Sequence, residues 1–121
     1  MRDSQPVFIE IIEMIENDII TGVYQVHDLI ISTTQIAKVY SVNPTTAVKA
    51  ISKLTDAGIL YKRRGIGMCV AEGAREQIVT QRRDAFFSRS LDMLISEAKT
   101  LGMSMDELID AIRNKGAKND D

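Results

Sequence analysis

Five cationic side chains, Lys49, Lys53, Lys62, Arg63 and Arg64, fall between Ser41 and Val70 against the single acid Asp56, a local balance of +4. Ammonium and guanidinium groups gathered this way suit the neutralisation of phosphates. Thr45 and Thr46 add short hydroxyls to the same stretch. The whole chain carries 15 Lys and Arg against 17 Asp and Glu, so the positive character is local and net charge does not explain it. Other chemistry is sparse. With one histidine, His27, and one cysteine, Cys69, far apart in sequence, neither a metal site nor a Cys–His nucleophile pair can be assembled. No catalytic residue, metal or cofactor is expected, and the chain reads as a non-enzyme. Cys69 sits among apolar, strand-compatible neighbours and reads as a small core residue, and His27 as a surface loop residue.

These side chains need elements to hold them. Apolar residues at Phe8, Ile12, Ile15 and Ile19, widened by Ile11 and Met14, predict a helix over 7–21. Glu10, Glu13, Glu16 and Asp18 put acid on that helix. Residues 23–31 lack helical period and read as a loop with a short extended piece. Ser32 and Gln35 have capping-box spacing and predict a short helix over 33–39. Asn43-Pro44 starts the next helix, with Asn as the cap and Pro at the first helical position. Ala47, Ala50, Ile51 and Leu54 are its inward residues, and Gly58 stops it. Residues 59–62 and 68–71 then read as two strands of a hairpin whose turn holds Gly65 and Gly67, with the cations at its tip.

From Ala74 to Leu101 the pattern predicts one long helix with a heptad-like seam at Phe87, Leu91, Leu94, Ala98 and Leu101. Ser104 and Glu107 form a second capping box, with Met103 and Leu108 placed as its hydrophobic staple. Met105, Leu108, Ile109 and Ile112 are the apolar face of the last helix, which should fold back on its predecessor. Of Phe86 and Phe87, one ring is expected inside that hairpin and the other against a second chain. Residues 115–121 are expected to fray.

The order helix, short helix, tight turn, helix, hairpin is that of a winged helix-turn-helix, in which the second helix of the turn enters the DNA major groove and the hairpin lies alongside. The fold class is therefore mainly α with a small β-hairpin, followed by a C-terminal two-helix dimerisation hairpin. Residues 1–73 are expected to bind DNA and residues 74–121 to pair subunits. A chain of 121 residues accommodates one domain plus such an appendage. Apolar runs no longer than four residues fall far short of the roughly 20 that span a bilayer. No secretory pattern opens the chain, and the expected address is the cytoplasm.

The sequence also resembles the GntR-type bacterial transcription regulators, and within them the short YtrA-like branch. The resemblance rests on Pro6-Val7-Phe8, Ile20-Thr21-Gly22, the run from Asp28 to Ala37, Val42 to Ala50, Leu54 to Leu60, and Arg64 to Gly67. It implies sequence-specific DNA binding, repression by a homodimer, a palindromic operator, and a short two-helix dimerisation extension in place of an effector domain. Three departures stand out. Ile31, Thr33 and Thr34 occupy positions where many members have proline and a Glu-Arg pair. Pro44 and Val48 stand where arginine is frequent.

The candidate DNA-binding set is Ser32, Thr33, Thr34, Asn43, Thr45, Thr46, Lys49, Lys53, Arg63, Arg64, Gly65 and Gly67. Lys49 is assigned to base edges, and Lys53, Arg63 and Arg64 to phosphates. The candidate dimer interface is Phe86, Phe87, Leu91, Leu94, Ile95, Leu101, Leu108, Ile109 and Ile112. The expected partners are double-stranded DNA and a second copy, with no membrane and no identified small-molecule effector. Two alternatives stand beside this reading: a winged-helix module that docks proteins, and a regulator with a metabolite between the dimer helices.

Overall fold

The computed structural model describes residues 5–119, so residues 1–4 and 120–121, the outer ends of the two expected domain ranges, lie outside it. The chain divides into two compact units, the first closing at Gln81 and the second opening at Arg82. The architecture is mainly helical with one two-stranded antiparallel hairpin.

In the first unit, α1 (Val7–Ile20) buries Ile11, Ile15 and Ile19, while Phe8 and Ile12 flank that seam half-buried. The three buried residues all belong to the apolar stripe that the spacing selects, and Phe8, Ile12 and Met14 pack half-buried against the same core. α2 (Thr33–Tyr40) opens with the expected reciprocal cap. The Gln35 amide donates to Ser32 Oγ at 3.2 Å, and the Ser32 amide donates to Gln35 Oε1 at 3.2 Å. Ser41 ends it in the left-handed region at φ 53°, ψ 47°, which redirects the chain at once toward Asn43-Pro44.

α3 (Pro44–Asp56) buries Ala47, Ala50, Ile51 and Leu54, the residues its period selects, and both α1 and α2 pack on it. Asn43 stands at the cap position, but its side chain does not cap. Its own backbone carbonyl accepts the Thr46 amide at 3.0 Å, which satisfies a donor that the side chain would otherwise serve.

β1 (Leu60–Arg63) pairs with β2 (Gly67–Val70) in the register Leu60 to Val70 through Arg63 to Gly67. The expected extended piece in 23–31 lies along β2. Leu29 forms an isolated antiparallel bridge with Cys69, the Ile30 amide donates to the Met68 carbonyl at 3.0 Å, and the Val70 amide donates to the Asp28 carbonyl at 3.1 Å. Cys69 is fully buried, as its neighbours imply.

α4 (Ala74–Ala85) completes this core with Ala74 and Ile78. Its start is pinned twice: Arg75 Nε donates to the Ile20 carbonyl at 3.0 Å, and Gln77 Nε2 to the Ala57 carbonyl at 2.8 Å. The expected long helix runs without interruption from Ala74 to Thr100, but its hydrogen-bond register shifts in a π-helical turn at Phe86–Ser90, ahead of α5 (Leu91–Thr100). A π turn lengthens the hydrogen-bonded ring by one residue and so offsets the stripes on either side of it.

In the second unit, α6 (Met105–Asn119) starts at the predicted cap. The Glu107 amide donates to Ser104 Oγ at 3.1 Å and the Ser104 amide to Glu107 Oε1 at 3.0 Å. Met103 and Leu108, the expected staple pair, line one cavity of about 80 Å³ with Ile95 and Ala98. The helix continues to Asn119 instead of fraying at Lys115; residues 120–121 of that expectation fall outside the described chain. The α5 and α6 residues that are buried are Ala98 and Leu108, at the corner between the helices.

Candidate nucleic-acid interface

With Ala47, Ala50, Ile51 and Leu54 inward, helical geometry fixes the rest of α3. Thr45, Lys49, Ser52 and Asp56 lie opposite the core. Val48 occupies one shoulder, and Thr46 and Lys53 the other. Asn43, Thr45, Val48, Lys49, Ser52 and Lys53 are exposed, and Thr46 is half-buried. The leading turn of α3 is therefore uncovered by the rest of its own unit.

The lysines do not simply extend into solvent. Lys49 Nζ lies 4.2 Å and Lys53 Nζ 5.8 Å from the centroid of the Phe8 ring on α1. A cation over an aromatic face at an exposed site is worth about 0.5–1 kcal/mol, less than the about 1–3 kcal/mol of a good bidentate base contact, so the ring parks the lysines without trapping them. No local sequence signal announces this platform. The spacing of Phe8 on α1 indicates core, and only the packing of α1 on α3 sets it under two ammonium groups.

At the start of α2, Ser32 and Thr34 are exposed and Thr33 is half-buried. Ser32 and Thr33 share a groove of about 270 Å³ with Ile51, Ile66 and Gly67, which brings the α2 start, α3 and the hairpin tip together. Lys62, Arg63, Arg64 and Gly65 are exposed at the hairpin. Lys62 and Arg63 are successive strand residues, so they project from opposite faces and the three cations do not act as one cluster.

The hairpin tip depends on its glycines. Gly65 has φ +78°. Gly67 has φ +137°, and a Cβ there would sit 2.9 Å from Leu29 Cδ1. Behind the tip, His27 is exposed as expected, yet it is tied in place: Nδ1 is 2.7 Å from the Tyr61 hydroxyl and Nε2 is 3.3 Å from Glu72 Oε1. On α2, burial first and then the carboxylates of Glu10 and Asp18 push the Tyr40 phenol above its ordinary range, so it remains protonated and neutral.

In the second unit, Phe86, Phe87, Leu94, Leu101, Ile109 and Ile112 are 39–69% exposed. Leu91 and Ile95 are half-buried, whereas Leu108 is already buried within its own unit. The two phenyl rings meet each other edge to face, with centroids 5.5 Å apart and planes at 82°. Neither ring is buried, which corrects the expectation that one would pack inside the hairpin. Both rings stand on the π turn. Among the described residues no group of His, Cys, Asp or Glu could hold a metal ion, and no helix is long and apolar enough to cross a membrane.

Comparison with known proteins gives consistent results. The family described as bacterial regulatory proteins, gntR family, matches residues 9–70. The HTH-type transcriptional repressor YtrA of Bacillus subtilis (strain 168) is 27% identical over 125 residues, spanning 99% of this chain and 95% of that protein. A GntR family transcriptional regulator from Listeria monocytogenes has 27% identity and a TM-score of 0.71, over 94% of this chain and 98% of its own. The structure of AraR(DBD) in complex with operator ORR3 has 29% identity and a TM-score of 0.52, over 55% of this chain and 80% of its own.

Proposed function

The chain belongs to the GntR family of bacterial regulatory proteins, transcription regulators and not enzymes, and from that premise we propose that it is a homodimeric repressor of a palindromic operator. The observation that carries the reading is the uncovered leading turn of α3 in the same unit as a cationic hairpin tip. In this reading residues 1–73 bind DNA. α3 enters the major groove with Thr45 and Lys49 toward base edges, and Thr46, Lys53, Arg63 and Arg64 meet phosphates. Ser32, Thr33, Thr34 and Asn43 meet the backbone beside the groove, while Gly65 and Gly67 let the hairpin approach it closely.

Residues 74–121 pair subunits. Eight large apolar residues of the second unit, Met93 and Met105 among them, are left exposed, and a second copy offers the same set back across a two-fold axis. Leu108, already inside its own unit, contributes little to that contact. A two-fold dimer would present two copies of α3 to half-sites about 10 bp apart, or a multiple of that. Repression follows from occupation of a promoter; YtrA, which is similar along nearly its whole length, is named as a repressor.

Fluorescence anisotropy of the full chain on a random-sequence duplex across salt concentrations tests the reading. The expected result is affinity that falls linearly on a log–log plot, with a slope of about −0.9 per neutralised phosphate. Absence of salt-sensitive binding would instead favour a module that docks proteins.

A further inference from the structure

The outward face of α3 combines two features that the assignment of Lys49 does not use. Val48 is 49% exposed on the shoulder of the helix away from Phe8. The long side chains of Lys49 and Lys53 lean the other way, over the Phe8 ring, and leave that shoulder uncovered. Beside it on the outward face stand Thr45, one turn before Val48, and Ser52, one turn after. A branched apolar side chain between two short hydroxyls has no donor fork for guanine. In a major groove it matches the one apolar group that base edges present there, the 5-methyl of thymine.

We propose that Val48 is a specificity-determining residue that reads thymine methyl groups, so that each half-site carries a T·A pair beneath the leading turn of α3. The inference rests on the DNA-binding reading above and adds the base class that the surface selects. Val48 stands on an exposed helix face, so trimming it leaves the core of Ala47, Ala50, Ile51 and Leu54 untouched. The methyl contact supplies discrimination without a hydrogen bond, and Lys49 remains available for a neighbouring base or phosphate.

The test uses the duplex that the full-length protein itself selects from random DNA. Each thymine of the selected half-site is replaced in turn by uracil, which removes only the methyl group. At one symmetry-related pair of positions, wild-type affinity is expected to fall about three- to fivefold per methyl, the worth of one buried methyl group. In Val48→Ala the same replacement should cost less than half as much on a logarithmic scale. A selected site with no uracil-sensitive thymine, or equal sensitivity in both proteins, overturns the role of Val48 while leaving DNA binding intact. Failure to enrich any duplex overturns the DNA-binding reading and this inference together.

Discussion

Lys49→Ala separates base reading from backbone neutralisation, and its magnitude can be worked from the geometry. In the free protein the ammonium lies 4.2 Å from the Phe8 centroid, at an exposed site. Leaving the ring costs about 0.5–1 kcal/mol, and a base-edge contact returns about 1–3 kcal/mol. The net contribution lies between about 0 and 2.5 kcal/mol per half-site, up to roughly seventyfold in affinity. Gel-shift titrations of wild type and Lys49→Ala, on a selected duplex and on random DNA, should show this loss mainly on the selected duplex. Phe8→Leu is the companion variant. It removes the parking place, so specific affinity should hold or rise by up to about fivefold, at a small cost in thermal stability. Equal losses for Lys49→Ala on both duplexes, or a loss of specific affinity in Phe8→Leu without unfolding, would rule out a base-reading Lys49 held in reserve on the Phe8 ring.

Three further outcomes are expected. Arg63→Ala combined with Arg64→Ala should weaken selected and random DNA alike and make the salt slope shallower by about 0.9 for each phosphate no longer neutralised, measured by anisotropy across salt. Leu94→Asp, which places a charge on an exposed apolar face of α5, should shift the protein toward monomer in analytical ultracentrifugation while circular dichroism stays unchanged. Gly67→Ala should cost about 1–3 kcal/mol by chemical denaturation, chiefly from the backbone at φ +137°, because Leu29 can swing its exposed side chain away from the added methyl.

What the sequence carries well is whatever is encoded within a few residues. The Ser32–Gln35 and Ser104–Glu107 boxes sit where spacing places them, since donor and acceptor are only three residues apart. The inward set of α3 is legible for the same reason: one helix, one core, one period. Asn43 misleads because a side-chain preference cannot reveal that a backbone carbonyl already accepts the amide in question. The π turn at Phe86–Ser90 is invisible in the sequence, since it is a shift in hydrogen-bond register with no residue type of its own. Phe87 and Leu94 on the heptad-like seam are exposed within their own unit.

The candidate interface is legible as a set of polar and cationic residues, and less so as a surface. Nothing local links Phe8 to Lys49, or Leu29 to Gly67; both relations exist only once α1 lies on α3 and the 23–31 segment lies along β2. Val48 stands out in the sequence only as a residue where arginine is frequent; its bare apolar shoulder is visible once the helix is packed.

Contact of DNA with both the leading turn of α3 and the hairpin tip is read residue by residue by backbone amide NMR of the full chain titrated with a duplex. The largest shifts are expected at Ser32–Thr34, Thr45–Lys53 and Lys62–Gly67. Unmoved amides in those three stretches, with shifts concentrated in α1 or in α5 and α6, would contradict that contact.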